Sequence, residues 1–175
     1  LQFYSEHREA YERLKAEGWD QFDIDRRLPR DPRKNVHVVP MFGTYFYNFN
    51  CRPKLADGRV NPFADARVRR AFAMAVDRRV LTDEVLRMGN LPAYTLIPPG
   101  SITGYESPKG VVFDPAAARK LLAEAGYASG KAFPITVDIL FNKEGEHDRI
   151  AQFVAKEWER NLGVSVSLTP KEIRV

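Results

Sequence analysis

The chain has 175 residues, of which 44% are hydrophobic and 29% are charged, as in an ordinary globular protein rather than a disordered or fibrous one. Its 27 basic and 23 acidic residues are interleaved and leave a net charge of +4, which indicates a solvated surface rather than a nucleic-acid-binding one. The single cysteine, Cys51, rules out a disulfide within the chain and is expected to be a half-buried apolar residue.

The chain length fits one domain, or one piece of a larger one. No apolar run approaches the roughly 18 residues of a membrane-spanning helix. The first residues, LQFYSEHREAYERL, lack the charged-then-apolar pattern of a secretion signal and read as the middle of a fold. We therefore expect residues 1–175 to be a single partial domain from a longer protein.

Two elements are predicted in the first fifty residues. Ser5 is a candidate N-cap for a helix that continues to about Glu17 and stops at Gly18. Residues 36–50, VHVVPMFGTYFYNFN, give the strongest strand signal, because apolar and aromatic residues occupy both alternating faces. Such a strand is either buried on both sides, or buried on one side and exposed to a cleft on the other.

The stretch NPFADARVRRAFAMAVDRRVL, residues 61–81, predicts a helix that is capped by Asp65 and broken at Asp77. Its buried face follows the i, i+3, i+4, i+7 spacing and consists of Val68, Ala71, Phe72, Ala75 and Val76. The arginines largely off that face, expected to be solvated, are Arg67, Arg69, Arg70, Arg78 and Arg79. A second helical segment is predicted from Arg78 to Met88, with Gly89 as its stop.

The second half of the chain alternates helices and strands. Asp114 caps a predicted helix that ends at Gly126. A strand at 135–141, a helix at 147–163 and a strand at 164–169 follow, and this order predicts a right-handed βαβ unit. The inner face of the last helix is expected to consist of Ile150, Phe153, Val154, Trp158 and Leu162.

Few residues point to catalysis. There is no phosphate-binding glycine loop and no G-x-S-x-G elbow, so we expect no catalytic residue, no metal and no cofactor. The cluster EGEHD, residues 144–148, is interpreted as the charged start of a helix. A ligand contact at His147, or a metal-dependent hydrolase site formed with Glu144, Glu146 or Asp148, are its alternatives.

The aromatic run in the predicted strand allows two interpretations; it consists of Tyr45, Phe46, Tyr47 and Phe49. These side chains pack in a sheet core, or they form the wall of a cleft, where aromatic rings offer apolar area and polar tips to varied ligands. Stacking on nucleic-acid bases is a third use of such a run, but residues 36–50 contain no Lys or Arg. We therefore expect no nucleic-acid partner.

The chain resembles the family 5 extracytoplasmic solute-binding proteins of ABC transporters, and within them the oligopeptide-binding branch. The blocks that carry the likeness occur in the family's order and spacing: YFYNFNCRP, NPFADARVRRAFAMAVDRRVLTDEVLRMGNLPAYTLIPPG, DPAAARKLLAEAGY, ITVDILFN and HDRIAQFVAKEWERNLGVSVSLTPKE. The resemblance implies an α/β fold, part of the larger lobe of a periplasmic-binding-protein type II architecture. It also implies a mixed sheet with flanking helices and a βαβ unit near the C-terminus.

The resemblance further implies the substrate-binding component of an ABC importer, without enzymatic activity. Such a protein captures an oligopeptide between two lobes, holds it chiefly by its backbone, and delivers it to permease subunits in the membrane. It works in the periplasm or another extracytoplasmic space, and it contacts the membrane only through the transporter or a lipid anchor outside this chain. The arginine-rich helix is then a scaffold for the aromatic strand.

The resemblance assigns ligand contacts to a few residues. Those on the aromatic strand are Met41, Tyr45, Phe46 and Tyr47. Phe46 is favoured, because only one face of a strand can point into the cleft. His147 matches a histidine near the ligand's carboxylate end, where a helix N-terminus also favours an anion. Arg87 lies where the carboxylates of longer peptides are met.

Some features of the family are absent from the sequence. The acidic anchor for the peptide's amino group belongs to a segment beyond the last residue here, and Gly43 replaces a cysteine that forms a disulfide in some relatives. Non-peptide solutes therefore stay open as alternatives, among them a nickel complex, heme, a sugar or an opine. By itself, this chain is expected to bind ligand weakly or not at all.

Overall fold

In the computed structural model, the chain divides into two compact units, Leu1–Pro40 and Met41–Val175. The described residues of the first unit are helical and fall within the helix predicted from Ser5 to Glu17. Met41 and the part of the predicted strand before residue 43 lie outside the described residues. The structure describes residues 12–13, 15–16, 43–88, 90–98, 102–128, 133–143 and 145–172.

The second unit has an α/β architecture. Its two strands are parallel and run in register from Val137 opposite Val166 to Asn142 opposite Lys171, with a long helix between them, which confirms the βαβ order. Among the described residues, the sheet has only these two strands. The elements are α1 (Ala66–Met74), α2 (Arg78–Val80), a π-helix (Leu81–Leu86), α3 (Pro115–Glu124), β1 (Val137–Asn142), α4 (His147–Leu162) and β2 (Val166–Lys171).

Aspartates cap the N-termini of α1, α2 and α3, as the sequence predicts for Asp65 and Asp114. The Oδ1 atoms of Asp65 and Asp114 accept backbone N–H groups at 2.8 and 2.9 Å. Asp77, predicted only as a break, caps α2 in the same way at 3.0 Å. Each carboxylate satisfies an N–H group that has no partner within the helix, so these short side chains fix where the helices begin.

Replacing Asp114 with alanine is expected to lower the free energy of unfolding by about 1 kcal/mol, because the first turn of α3 loses its side-chain acceptor. Asp114→Asn should stay within a few tenths of a kcal/mol of the wild type, since the amide oxygen still caps the helix. Urea unfolding followed by circular dichroism measures both changes. Equal losses in the two variants would show that the charge, and not the cap, is what matters.

The hydrophobic core lies between α1, α3, α4 and β1, and it confirms the predicted inner faces. Val68, Ala71, Phe72, Ala75 and Val76 are all buried. So are the inner residues of α4, except that Phe153 is only partly buried against the core. The buried apolar residues are Phe63, Val68, Ala71, Phe72, Ala75, Val76, Ala118, Leu122, Val137, Ile139, Ile150, Ala151, Val154, Ala155, Trp158, Leu162 and Val164.

Side chains of α4 satisfy backbone oxygens at the end of α1. The Trp158 Nε1–H donates to the Phe72 carbonyl oxygen at 2.9 Å, and the Asn161 amide donates to the Ala75 oxygen at 2.8 Å. The last carbonyls of a helix have no partner within it, and leaving them buried and unpaired costs stability. These two bonds therefore tie the helices together and fix how far α1 extends.

The arginines of residues 61–81 were predicted to be a solvated face; Arg67, Arg70 and Arg79 are exposed as predicted, whereas the prediction is wrong for Arg69 and Arg78, which are partly buried. Arg67 donates to the Glu124 oxygen at 2.8 Å, and Arg69 donates to the Phe63 oxygen at 2.6 Å. Arg78 is partly buried, where it donates to the Ala73 oxygen at 3.1 Å, and burial lowers the pKa of its guanidinium. A guanidinium has several N–H donors at the end of a long apolar stem, which suits it to bridge carbonyls across a helix surface.

The helix predicted from Arg78 to Met88 ends at Leu86, and most of it is a π-helix rather than an α-helix. Leu81–Leu86 forms a π-helix, and the Arg87 N–H donates back to the Thr82 oxygen at 2.9 Å, five residues earlier. Arg87 itself adopts the left-handed conformation (φ 52°) and ends the helix. The predicted stop, Gly89, lies outside the described residues. A non-glycine residue in that conformation breaks the usual rule, which explains why the sequence pattern misplaced the end.

The predicted strand at 36–50 is wrong for its described part, because residues 43–50 form no regular β-structure. Burial still alternates there, with Tyr47 and Phe49 partly buried against the core and Phe46 exposed. A strand needs a hydrogen-bonded neighbour, and the described residues supply none. Cys51, expected to be half-buried, is exposed, with its Sγ donating to the Phe49 oxygen at 3.3 Å.

No helix in the described ranges is both long and apolar enough to span a lipid bilayer.

Candidate ligand-binding surface

A groove with a volume of about 1080 Å³ lies between residues 45–50, here called the aromatic segment, and β1, the first strand of the sheet. Residues 45–50 form one rim, and residues 133–142, which include β1, form the other. Phe63 and Trp158 contribute to the lining from the side of the core. The predicted contacts Tyr45, Phe46 and Tyr47 all line it, so the sequence-based cleft wall is part of a real concave surface.

The aromatic segment is anchored by Tyr47 and Phe49, which are partly buried against the core. The Phe49 ring stacks on Phe63 at a centroid distance of 5.0 Å and meets Phe72 and Trp158 at 6.3 and 6.2 Å. Phe46 is 55% exposed. Aromatic pairs at these distances add stability beyond the apolar area they bury. One face of the segment therefore holds it in place and leaves Phe46 free for contacts.

Asn61 fixes the end of the aromatic segment, and the sequence interpretation missed it. Its side chain is almost fully buried, and its amide donates to the carbonyl oxygens of Asn50 and Arg52 at 2.7 and 2.8 Å. Its Oδ1 accepts the Phe63 N–H at 3.0 Å, so it also caps the following turn, Pro62–Ala64. An asparagine directly before a proline that opens a helical turn is the signal that predicts such a cap.

Arg59 lines the groove and connects the loop before α1 to one of its rims. Its guanidinium donates to the Pro134 oxygen at 3.0 Å and pairs with Asp57 at 2.7 Å. The Arg59 hydrogen bond and charge hold the pKa of the Asp57 carboxyl below its ordinary value. Arg59 thereby links the loop before α1 to the residues that lead into β1.

His147 is the first residue of α4, and its imidazole ring stacks on Tyr45 at 4.8 Å with an interplanar angle of 16°. Among the described residues, its buried Nδ1 has no hydrogen-bond partner. The preceding Glu146 makes no side-chain cap, and the Arg149 N–H in the first turn of α4 donates to the Asp148 carboxylate at 2.8 Å. The structure thus brings together two predicted contacts that are far apart in sequence.

Tyr45, which stacks on His147, also contacts Tyr47. The Tyr45 hydroxyl donates to the Tyr47 hydroxyl at 3.5 Å, and the two rings meet edge to face at 5.5 Å. Burial raises the pKa of Tyr47 well above its ordinary value. The Tyr47 hydroxyl therefore stays protonated at any physiological pH and can serve as a neutral hydrogen-bonding group.

Glu146 and Asp148, two other residues of the EGEHD cluster, have local partners. A Glu146 oxygen accepts from the Arg149 guanidinium at 3.2 Å, and Asp148 accepts the Arg149 backbone N–H at 2.8 Å. Within the described part of the chain, no group of three or more His, Cys, Asp or Glu side chains is arranged to hold a metal ion. Glu144 lies outside the described residues, so a metal site that includes it remains an untested alternative.

His147 does not itself line the groove and adjoins it through Tyr45, and two further predicted contacts are not part of this surface as described. The Arg87 side chain donates to the Glu84 oxygen at 2.9 Å, and Arg87 is not among the residues that line the groove. Met41 lies outside the described residues. The assignment of both to a ligand stays a prediction.

Comparison with known proteins identifies several relatives, and the names of most of them describe peptide-binding proteins. The chain is 36% identical over 154 residues to the periplasmic murein peptide-binding protein MppA of Escherichia coli, which covers 84% of this chain and 27% of that protein. It is 34% identical over 155 residues to the periplasmic oligopeptide-binding protein OppA of Salmonella typhimurium, covering 86% and 27%. It is 32% identical over 154 residues to the probable deoxycholate-binding periplasmic protein YgiS of Escherichia coli, covering 85% and 26%.

Solved structures support the fold. The Escherichia coli murein tripeptide binding protein MppA superposes with a TM-score of 0.70 at 34% identity, over 86% of this chain and 29% of that one. The predicted α/β class, as part of a type II binding-protein lobe, is thereby confirmed. The chain spans about a quarter of the length of the curated relatives named above. The profile of the bacterial extracellular solute-binding proteins, family 5 Middle, matches residues 10–174, and the chain belongs to this family.

Proposed function

We propose that the protein is the substrate-binding component of an ABC importer, and that it captures oligopeptides and delivers them to membrane permease subunits. Residues 1–175 supply part of the larger ligand-binding lobe. The observation that carries the proposal is the similarity to two peptide-binding proteins over 84% and 86% of the chain. Because those relatives are named periplasmic, we also propose a periplasmic or other extracytoplasmic location.

The corner formed by His147 and Tyr45 is suited to a ligand carboxylate. The positive end of the α4 helix dipole favours a negative charge there. The stacked Tyr45 ring fixes the plane of the imidazole. We assign this corner to the C-terminal carboxylate of a bound peptide, the part that peptides of every sequence share.

The exposed ring of Phe46 is suited to side chains of the ligand. It is apolar, it lies on the rim of the groove, and the anchored neighbours Tyr47 and Phe49 hold its backbone. Contacts through apolar area and water tolerate many side-chain shapes, whereas carboxylate and backbone contacts set the position of the ligand. This division of labour lets one protein accept peptides of varied sequence.

A second candidate ligand is an amphipathic acid such as a bile acid. The similarity to a probable deoxycholate-binding protein, at 32% identity over 154 residues, favours it. Deoxycholate also ends in a carboxylate and has a large apolar body. The same corner and the same aromatic rim would therefore serve either ligand.

The test is a binding experiment on protein expressed from its complete coding sequence. The purified protein is mixed with a pool of short peptides and with deoxycholate, separated by gel filtration, and the co-eluting compounds are identified by mass spectrometry. Retained peptides of mixed sequence and narrow length support the proposal. Retention of deoxycholate without peptides overturns the peptide ligand, and retention of neither overturns both candidates.

Replacing His147 with alanine is expected to weaken binding of a free-acid peptide about tenfold or more, since one hydrogen bond to a charged group is lost. The same peptide with an amidated C-terminus should bind wild type and variant equally. Isothermal titration calorimetry measures both ligands. Lys156→Ala, at an exposed position on the same helix, is the control and should leave both affinities unchanged. Equal losses for acid and amide would contradict the carboxylate assignment.

A further inference from the structure

The loop of residues 90–98 packs against a second loop, residues 105–113, at a point where only glycine fits. A Cβ atom on Gly110 would lie 2.0 Å from the Tyr94 carbonyl oxygen and 2.8 Å from the Tyr94 Cβ. Non-bonded atoms do not approach so closely, and the backbone atoms of Tyr94 cannot be moved aside by a side-chain rotation. The backbone of Tyr94 therefore keeps its place only while residue 110 is glycine.

Both sides of this contact are attached to the helical part of the fold. Shortly after Gly110, the Asp114 N–H donates to the Met74 oxygen, the last residue of α1, at 3.0 Å. The partly buried Arg78 has its guanidinium carbon 5.9 Å from the centre of the Tyr94 ring, a distance at which a cation is attracted to an aromatic face. The backbone of Tyr94 thus meets Gly110 and its ring meets Arg78, and none of these residues lines the groove.

The 90–98 loop also contacts the residue directly before the aromatic segment. The Thr44 hydroxyl donates to the Leu96 carbonyl oxygen at 2.8 Å. Residues 43–50 form no regular β-structure, so their course depends on individual contacts of this kind. The next residue is Tyr45, whose ring stacks on the imidazole of His147 at 4.8 Å. A shift of the Leu96 oxygen is therefore expected to move the start of the aromatic segment.

We propose that Gly110 is a positioning residue for the corner formed by His147 and Tyr45. It acts through the 90–98 loop, whose hydrogen bond to Thr44 sets where the aromatic segment begins. Gly110 touches no ligand, but it determines where the Tyr45 ring lies on the imidazole, and thereby the affinity of the corner for a carboxylate. The effect on affinity rests on the function proposed above, whereas the connection from Gly110 to Tyr45 is a property of the ligand-free chain.

NMR of the ligand-free protein, expressed from its complete coding sequence with ¹³C-labelled histidine, tests this connection. A stacked aromatic ring shields the protons of the ring above it, so the Hε1 resonance of His147 reports on the position of Tyr45. The spectrum of His147→Gln assigns the resonance, and Tyr45→Leu gives its value without the stacked ring. In Gly110→Ala, the resonance is expected to move from the wild-type value toward the Tyr45→Leu value. Val112→Ala, at an exposed position of the same loop, is the control and should leave it unchanged.

Substitutions of Thr44 test the route. Thr44→Val removes the hydroxyl with little change in volume and should move the His147 resonance in the same direction. Thr44→Ser keeps the hydroxyl and should retain the wild-type value. Because residues that act through one contact are not additive, Gly110→Ala should cause no further shift when it is added to Thr44→Val.

Calorimetry with a free-acid peptide measures the consequence for binding. Gly110→Ala and Thr44→Val should each weaken binding about threefold to tenfold, the effect of one neutral hydrogen bond. The affinity for the same peptide with an amidated C-terminus should not change, because the amide does not use the charge-binding corner.

Several results would overturn the proposal. If Gly110→Ala lowers stability in urea but leaves the His147 resonance at its wild-type value, Gly110 serves only the packing of the loops. An equal shift with and without the Thr44 hydroxyl excludes the route through Thr44. If Gly110→Ala does not fold, an unmoved resonance in Thr44→Val contradicts the proposal by itself. Failure of the wild type to retain peptides in the co-elution experiment overturns the proposed function instead, since the resonances are measured without ligand.

Discussion

Replacing Trp158 with alanine is expected to lower the free energy of unfolding by about 3–5 kcal/mol, the range typical of large aromatic residues removed from a core. The ring is 5% exposed and packs against Phe72 at 5.0 Å and Phe49 at 6.2 Å. Its removal leaves a cavity at the point where α1, α4 and the aromatic segment meet. Urea unfolding followed by circular dichroism measures the loss.

Trp158→Phe separates packing from hydrogen bonding. This variant keeps much of the ring but leaves the buried Phe72 oxygen without its 2.9 Å donor, at a cost of about 1–3 kcal/mol. Leu96→Ala, at a side chain that is 68% exposed, is the control and should change stability by less than about 0.5 kcal/mol. If phenylalanine costs as much as alanine, the hydrogen bond rather than the packing of the ring holds α4 to α1.

The features that the sequence predicted well are those set by local rules. The caps Asp65 and Asp114, the buried face of α1 and the inner face of α4 depend on residues within a few turns of one another. Helical periodicity and capping carry that information directly. The βαβ unit followed because its strands and helix are consecutive in the chain.

The features that the sequence did not predict depend on distant partners. Arg67 and Arg78 have the pattern of surface arginines, and only the fold shows which carbonyls they reach. The segment at 43–50 has strand composition, but composition does not supply the neighbour with which a strand pairs. Arg87 ends its helix in a conformation that favours glycine, so a rule based on Gly89 placed the end too late.

The candidate site, too, was predicted from the sequence only in part. Tyr45 and His147 were chosen through a family resemblance, and nothing in their spacing predicts that their rings stack. Asn61 was missed, because it was considered as part of a loop rather than as the partner of carbonyls at residues 50 and 52. Buried polar residues of this kind connect a functional surface to its scaffold, and they become visible only when each hydrogen bond is assigned.

Replacing Asn61 with alanine is therefore expected to have an effect on both stability and binding. Three hydrogen bonds disappear together, to the oxygens of Asn50 and Arg52 and from the Phe63 N–H, and the free energy of unfolding should fall by about 2–4 kcal/mol. Peptide affinity should also fall, because the aromatic segment loses the contact that fixes its end. Gln152→Ala, exposed on α4, is the control for both measurements.

The variant Asn61→Asp separates the two roles of Asn61, which caps the turn Pro62–Ala64 and donates to the oxygens of Asn50 and Arg52. The carboxylate can still accept the Phe63 N–H, but its second oxygen would face the carbonyl oxygens of Asn50 and Arg52, where the wild-type amide donates at 2.7 and 2.8 Å. A buried carboxylate oxygen is repelled by the partial negative charge of carbonyl oxygens when no donor lies between them, so the aspartate variant should be at least as unstable as the alanine variant. If Asn61→Asp instead retains wild-type stability and peptide affinity, the cap alone is sufficient, and the aromatic wall is held in place by its rings.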